Sequence, residues 1–261
     1  MLDVDAMIDA LAERPGATAI LLDYDGSLSP IVDRPGDAVP LPAAIDALRR
    51  LVESIGRVGI VSGRPVDFLL EQVDVPGLVY AGLYGMELFV SGERRVDPRV
   101  HAYTAAIAAT ADEADARLPG VIVERKSGLS VTLHWRTAPD QAAKVVAVAS
   151  ELAQRYDLAQ LPTRAAIELR PPIAIDKGTA IDALVDGYAV GAFAGDDTGD
   201  LPAFAALGRA AADGRIERAV RIGVQSTEMP SALPAAVDGL VNGPMGLADL
   251  LDAVARRVQP R

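Results

Sequence analysis

The segment Ala17-Thr-Ala-Ile-Leu-Leu22 constrains this chain more than any other. It is a short run of apolar and β-branched residues, bounded by Gly16 and Asp23. Such a run is too short for a typical buried helix and too uniformly apolar for a strand with one wet face. It reads as a strand buried on both faces, the environment of a parallel sheet. Similar runs recur at Arg57-Val-Gly-Ile-Val61, Leu78-Val-Tyr-Ala81, Ala189 to Ala194 and around Val220–Val224. Helical patterns separate them, at Pro42 to Ser54, after Pro65 near a first turn, from Lys177, and finally from Pro244. Strands alternating with helices specify an α/β protein with a Rossmann-like doubly wound parallel sheet as its core.

The middle of the chain has another rhythm. Met86 to Val96 reads as a hairpin around Ser91-Gly92, and Pro98 to Leu118 as a long Ala-rich helix. Val121 to Lys126 and Leu129 to Arg136 form a second hairpin turning at Ser127-Gly128. A helix over Pro139 to Tyr156 leads to strands at 158–161 and 165–170. Two helices beside antiparallel strands describe a small α+β module. The expected organisation is therefore a core made of residues 1–87 and 173–261, split by an inserted α+β cap domain at 88–172.

Composition narrows the function. Half of the residues are apolar, yet no run approaches the length of about 20 needed to span a bilayer. Met1 to Gly16 mixes Asp3, Asp5, Asp9 and Glu13 into a short helical pattern and lacks the basic flank and apolar block of a signal peptide. With no cysteine, thiolate chemistry and disulfides are excluded, and a cytoplasmic setting is expected. With only His101 and His134, any metal must be held mainly by oxygen, which favours a hard cation such as Mg2+. A net charge of −11 argues against nucleic acid as a partner and leaves a small anionic substrate open. No membrane partner is expected, and the chain is read as a monomer or weak homo-oligomer.

Four polar clusters carry the chemistry. Asp23-Tyr-Asp-Gly26 follows the first expected strand and Ser62-Gly-Arg64 the second. Lys177 opens a helix, and Asp196-Asp197 with Asp200 follows a later strand. Ligands of open parallel sheets bind outside the carboxyl ends of the strands, where these clusters lie. Taken singly each has a plainer reading: a polar turn, a turn with a helix cap, a solvated helix end, a capping loop. In this order, each at an expected strand end, they point to one crevice.

Such a crevice suits phosphoryl transfer. Phosphate monoesters hydrolyse so slowly in water that a catalyst must lower the barrier by on the order of 20 kcal/mol. A carboxylate nucleophile, Asp23, divides the reaction into two displacements through an acyl phosphate. A second carboxylate, Asp25, protonates the leaving alkoxide and then deprotonates the attacking water. Two carboxylates repel a phosphate dianion, so a cation is needed. Mg2+ held by Asp23, the Asp25 carbonyl and Asp196, with Asp197 beside them, supplies that charge. Lys177 and Ser62 bind the non-bridging oxygens, and Arg64 is assigned to the substrate.

This order of motifs resembles the haloacid dehalogenase superfamily of phosphohydrolases over nearly the whole chain. The insert between the second and third motifs corresponds to the C2-type cap of that superfamily. The dehalogenase branch lacks the second acid, so Asp25 implies phosphate transfer.

The insert carries a further pattern. In Leu129-Ser-Val-Thr-Leu-His-Trp-Arg136, Leu129, Val131, Leu133 and Trp135 face one way and Ser130, Thr132, His134 and Arg136 the other. Glu124 and Lys126 share a face of the preceding strand, as do Glu168 and Arg170 of theirs. A solvated outer face would look the same, although donors and acceptors gathered this tightly also suit a hydroxyl-rich ligand. The stretches Glu124-Arg-Lys126 to His134-Trp-Arg136, Glu168-Leu-Arg-Pro171, Asp176-Lys-Gly178 and Gly195-Asp-Asp197 resemble trehalose-6-phosphate phosphatases. The resemblance implies hydrolysis of trehalose 6-phosphate, a cap that closes over the core, and sugar contacts from Glu124, Lys126, Glu168, His134 and Arg136. The chain departs from that family where Tyr84 replaces a usual His, where Gly199-Asp200-Leu201 replaces Thr-Asp-Glu, and where Ser27 replaces Thr. Another C2-capped sugar-phosphate phosphatase and a non-catalytic sugar-phosphate sensor are the competing readings. A phosphomutase ranks below both, because no device for excluding water selectively is visible.

Overall fold

The structure is a computed structural model and describes residues 2–163, 165–226 and 229–259. Met1, the first residue of the N-terminal helical pattern, lies outside them. A helix α1 (Val4–Ala12), capped by the Asp3 carboxylate on Ala6 N at 2.8 Å, leads to strand β1 (Thr18–Leu22). Helix α2 (Pro42–Leu51), strand β2 (Arg57–Val61), helix α3 (Val66–Val73) and strand β3 (Val79–Gly82) continue the alternation. The hairpin β4 (Glu87–Val90) and β5 (Glu93–Val96) then turns through Ser91 and Gly92, both at positive φ.

The inserted segment contains α4 (Thr104–Arg117), β6 (Ile122–Lys126), β7 (Ser130–His134), α5 (Ala142–Tyr156), β8 (Ala159–Thr163) and β9 (Ala166–Arg170). Both helices begin as 3-10 turns, Pro98–Tyr103 and Pro139–Gln141, so the α-helical parts are shorter than the sequence pattern. The chain returns through α6 (Lys177–Leu184), β10 (Val190–Gly195), α7 (Leu201–Ala212), β11 (Arg218–Val224), α8 (Leu233–Ala236), β12 (Gly239–Val241) and α9 (Gly243–Val258). The short pieces α8 and β12 are additions to the sequence reading. Among the described residues, no helix is long and apolar enough to cross a membrane.

Two compact units result, one of residues 1–31, 38–95 and 175–261, the other of 32–37 and 96–174. The larger is an α/β unit around an eight-stranded sheet in the order β12-β11-β10-β1-β2-β3-β4-β5. From β12 to β3 the strands are parallel, and β4 joins β3 antiparallel. The hairpin expected to open the insertion is therefore an edge of this sheet. The boundaries fall at 95/96 and 174/175 instead of 87/88 and 172/173. The register Tyr80↔Phe89, with the two rings edge to face at 6.1 Å, ties the hairpin to β3.

Every residue of β1 is buried. Ala19 and Leu21 join Phe193, Phe204, Leu207 and Ile181 in one cluster against α6 and α7, where Phe193 and Phe204 meet edge to face at 5.4 Å. Ile20 and Leu22 point to the opposite face and are as fully enclosed, as a doubly wound sheet requires. On the helical layers α2 packs on α9, and α1 on α9. The smaller unit is an antiparallel sheet in the order β6-β7-β9-β8. Its Val131, Leu133, Ile167 and Leu169 share a cluster with Ile107, Val145 and Leu152 of α4 and α5, and Trp135 packs against it. Ser130, Thr132 and His134 alternate with those apolar residues, as period two dictates.

One local device positions the chemistry. The first turn of α6 is closed by a capping box, in which Asp176 Oδ1 accepts from Thr179 N at 2.9 Å and Thr179 Oγ1 accepts from Asp176 N at 3.4 Å. The box sets the residue after the cap, Lys177, at the start of the helix. Asp176→Ala is expected to lower stability by about 1 kcal/mol, read as a shift of the urea midpoint at unchanged slope. An unchanged midpoint would show that the box does not hold the helix start.

Candidate active site

The sheet order makes the crevice. The chain starts in the middle at β1, winds outward through β2 and β3, and then crosses to β10 on the other side of β1. The carboxyl ends of β10, β1 and β2 therefore lie side by side at the point where the winding direction reverses, and Asp196, Asp23 and Ser62 follow them directly. Asp23 N donates to Ala194 O at 2.8 Å, which continues the β1–β10 ladder to the reacting position.

Lys177 lies between carboxylates. Its Nζ donates to Asp23 Oδ1 at 2.5 Å and to Asp200 Oδ1 at 2.6 Å, and all three residues are buried. The second oxygen of Asp200 accepts from the backbone N–H groups of Asp196 and Asp197, at 2.8 and 3.0 Å. Asp200 thus closes the turn after β10 and fixes the ammonium together. The sequence places Asp200 in the cluster after β10 but assigns it no role. The available signal was the spacing from Asp196, which in a tight turn brings the side chain back over the turn's own N–H groups. Asp197 instead caps the following turn, accepting from Gly199 N at 2.7 Å.

Charge in this pocket is unbalanced. Oxygen atoms of Asp23, Asp196 and Asp200 lie within 4.8 Å of one another, with one ammonium among them. Burial pushes the Asp23 carboxyl well above the ordinary range; Lys177 pulls it down, and Asp200, Asp196 and Asp197 push it up again. Asp200 is raised mainly by burial as well. For Lys177 burial acts downward, but Asp200 and Asp23 outweigh it and hold the amine charged. Like charges about 4 Å apart repel by about 4 kcal/mol at an effective dielectric constant of about 20. A buried, all-oxygen donor set with surplus negative charge fits a hard divalent cation such as Mg2+.

The loop after Asp23 is built around a close approach to Asp196. Gly26 has φ +85, and a Cβ there would lie 2.3 Å from Asp196 Oδ2, so only glycine lets the loop reach that carboxylate. Asp25 points elsewhere: Arg64 Nε and Nη2 donate to its two oxygens, both at 2.7 Å. Arg64 therefore contacts the second acid of the pair, a partner that sequence alone did not assign to it. Ser62 is buried and its Oγ accepts from Arg64 N at 3.2 Å. Beside it Leu83 and Tyr84 adopt φ +49 and +63, held as Leu83 N donates to Arg64 O and Tyr84 N to Ser62 O. The Tyr84 ring lies so close over Gly63 that a Cβ there would come within 2.7 Å of it.

The remaining residues named from sequence lie in the smaller unit. Glu124, Lys126, Thr132, His134 and Glu168 share one face of its sheet, with Thr132 opposite Glu124 on one side and Glu168 on the other. Lys126 Nζ donates to Glu168 Oε2 at 2.8 Å, and Thr132 Oγ1 donates to the same oxygen at 3.3 Å. Among the described residues, the buried Glu168 Oε1 has no hydrogen-bond partner. His134 Nε2 lies 2.8 Å from Glu124 Oε2, and Arg136 follows the end of β7.

Comparison with known proteins agrees with this architecture. The Trehalose-phosphatase family model matches residues 21–236. The trehalose-phosphate phosphatase of Mycobacterium marinum is 37% identical over 229 residues, covering 80% of this chain and 57% of the relative. That of Mycobacterium leprae is 32% identical over 266 residues, covering 96% and 59%. The chain thus spans less than two thirds of the length of these relatives. Among solved structures, the C-terminal domain of Candida albicans trehalose-6-phosphate phosphatase aligns with a TM-score of 0.80 at 20% identity over 99% of both chains. A trehalose-6-phosphate phosphatase related protein aligns with a TM-score of 0.76 at 23% identity, covering 91% of this chain and 97% of that one. By the extent of the family match, the chain belongs to the trehalose-phosphatase family.

Proposed function

We propose that this chain hydrolyses trehalose 6-phosphate to trehalose and phosphate through an aspartyl-phosphate on Asp23. The observation that carries the proposal is the buried Asp23 carboxylate at the end of the central strand, hydrogen-bonded to Lys177, in a chain of this family. A sensor has no use for a nucleophile held at such electrostatic cost.

In the first displacement an Asp23 oxygen attacks phosphorus, and the sugar oxygen leaves with a proton from Asp25. In the second, Asp25 takes a proton from water, which attacks the phosphorus of the acyl phosphate, releases phosphate and restores the Asp23 carboxylate. Lys177 and the Ser62 hydroxyl steady the non-bridging oxygens. Mg2+ held by Asp23, Asp196 and the Asp25 carbonyl would offset the charge that three neighbouring carboxylates present to a dianion. Asp200 holds the Lys177 ammonium in place.

For the sugar, Glu124, Lys126 and Glu168, with His134 and Arg136, are the proposed contacts. The buried Glu168 Oε1 supports this, because an acceptor without a donor among the described residues is free to take one from outside the protein. The named relatives support the disaccharide.

Asp23→Asn is expected to lower kcat by more than about a thousandfold while circular dichroism and the thermal midpoint stay near wild type. Near-wild-type turnover in that variant would end the nucleophile assignment. Phosphate release should stop on chelation, return with Mg2+, and be fastest per kcat/KM on trehalose 6-phosphate in a panel with sucrose 6-phosphate, glucose 6-phosphate and mannosyl phosphoglycerate. A clear preference for another member would replace the substrate. Glu168→Gln should lower kcat/KM for trehalose 6-phosphate by about ten- to a hundredfold, as expected for a lost hydrogen bond to a charged group, and leave p-nitrophenyl phosphate turnover unaltered. Equal losses on both esters would show Glu168 to be structural.

A further inference from the structure

The fork between Arg64 and Asp25 has a construction that a surface ion pair lacks. The guanidinium side chain is 10% exposed, whereas the Asp25 side chain is 41% exposed. Two parallel N–H···O bonds of 2.7 Å fix the carboxylate's plane as well as its position. The guanidinium is itself seated: its Cζ lies 4.6 Å from the Phe68 ring centroid. Phe68 in turn meets the Tyr24 ring edge to face at 5.5 Å, and Tyr24 OH donates to Ala38 O at 2.8 Å. Tyr24 stands between the two acids. A stack of Tyr24, Phe68 and Arg64 thus runs from the nucleophile loop, through the first turn of α3, back to the next acid of the same loop.

We infer that Arg64 is a positioning residue for Asp25, and not a contact to the substrate. This inference rests on the phosphatase reading and deepens it. Asp25 directly precedes the turn that begins at Gly26, with a side chain that water can reach, and an unrestrained carboxylate there would sample several rotamers. Proton exchange with a leaving oxygen requires one orientation, within about 0.5 Å. The fork occupies one lone pair on each Asp25 oxygen. A carboxylate has about four such sites, so each oxygen keeps one for the proton that passes to the sugar oxygen and later comes from water. Arginine suits the position because lysine, a point charge, cannot define a plane.

Leaving-group chemistry separates this role from substrate binding. Hydrolysis of trehalose 6-phosphate expels an alkoxide and needs the proton from Asp25, whereas p-nitrophenolate leaves without one. Arg64→Lys is expected to lower kcat on trehalose 6-phosphate by about tenfold or more, within the range of general acid catalysis. KM should stay within about threefold, and the pre-steady-state burst of p-nitrophenolate, which reports the first displacement alone, should hardly change. Phe68→Leu, which keeps the charge and removes its seat, should give the same selective loss to a smaller extent and serves if the lysine variant does not fold. Added to Asp25→Ala, neither substitution should cost anything further, since there is no acid left to position. A rise in KM, a burst of p-nitrophenolate slowed as much as trehalose 6-phosphate turnover, or a further loss in the Asp25→Ala background overturns the inference. A wild-type chain that releases phosphate from neither ester overturns the phosphatase reading, and this inference with it.

Discussion

The ammonium of Lys177, enclosed between Asp23 and Asp200, is the interaction on which the rest of the site depends. Taking an ammonium or a carboxylate out of water costs several kcal/mol for each ion, and pairing restores this only with close contacts. Here one cation faces three carboxylates whose oxygens lie within 4.8 Å of one another. That arrangement survives because the two acids bonded to the lysine are also held by something else. Asp23 is fixed by the β1–β10 ladder and Asp200 by two backbone N–H groups, while the missing side chain at Gly26 leaves room for the Asp196 carboxylate. The surplus charge that remains is the physical reason an oxygen-ligated cation fits this site.

The topology brings these groups together from far apart in sequence. Asp23 and Lys177 are in contact across a sequence separation of 154 residues, because β1 is laid down first and β10 later returns beside it. The insertion lengthens the chain between them without disturbing the sheet. Its own sheet turns one apolar face to α4 and α5 and collects Glu124, Lys126, His134 and Glu168 on the other.

Much of this could be read from residues alone. Strand ends followed by Asp23, Ser62 and Asp196 located the crevice, since apolar runs buried on both faces are short and end abruptly at polar residues. The alternation in 129–136 placed Thr132 and His134 on one face and Val131 and Leu133 on the other. What escaped depended on long-range pairing or on side-chain direction. The hairpin at 87–96 looks the same whether it joins the core or the insertion, and the choice rests on pairing with β3, which local pattern does not encode. Asp200 belongs to a cluster that points to the crevice, but its role escapes the sequence because its bond to Lys177 is tertiary. Arg64 was assigned to substrate by charge, whereas its fork reaches Asp25 across 39 residues.

The covalent step at Asp23 is the central claim, and the configuration at phosphorus tests it most directly. Trehalose 6-phosphorothioate made chiral at phosphorus with 16O and 18O would be hydrolysed in water enriched in 17O. Phosphorus NMR then reads the configuration of the released thiophosphate. Two successive in-line displacements, by Asp23 and then by water, predict retention. Inversion would mean that water attacks the ester directly, and would contradict an aspartyl-phosphate intermediate.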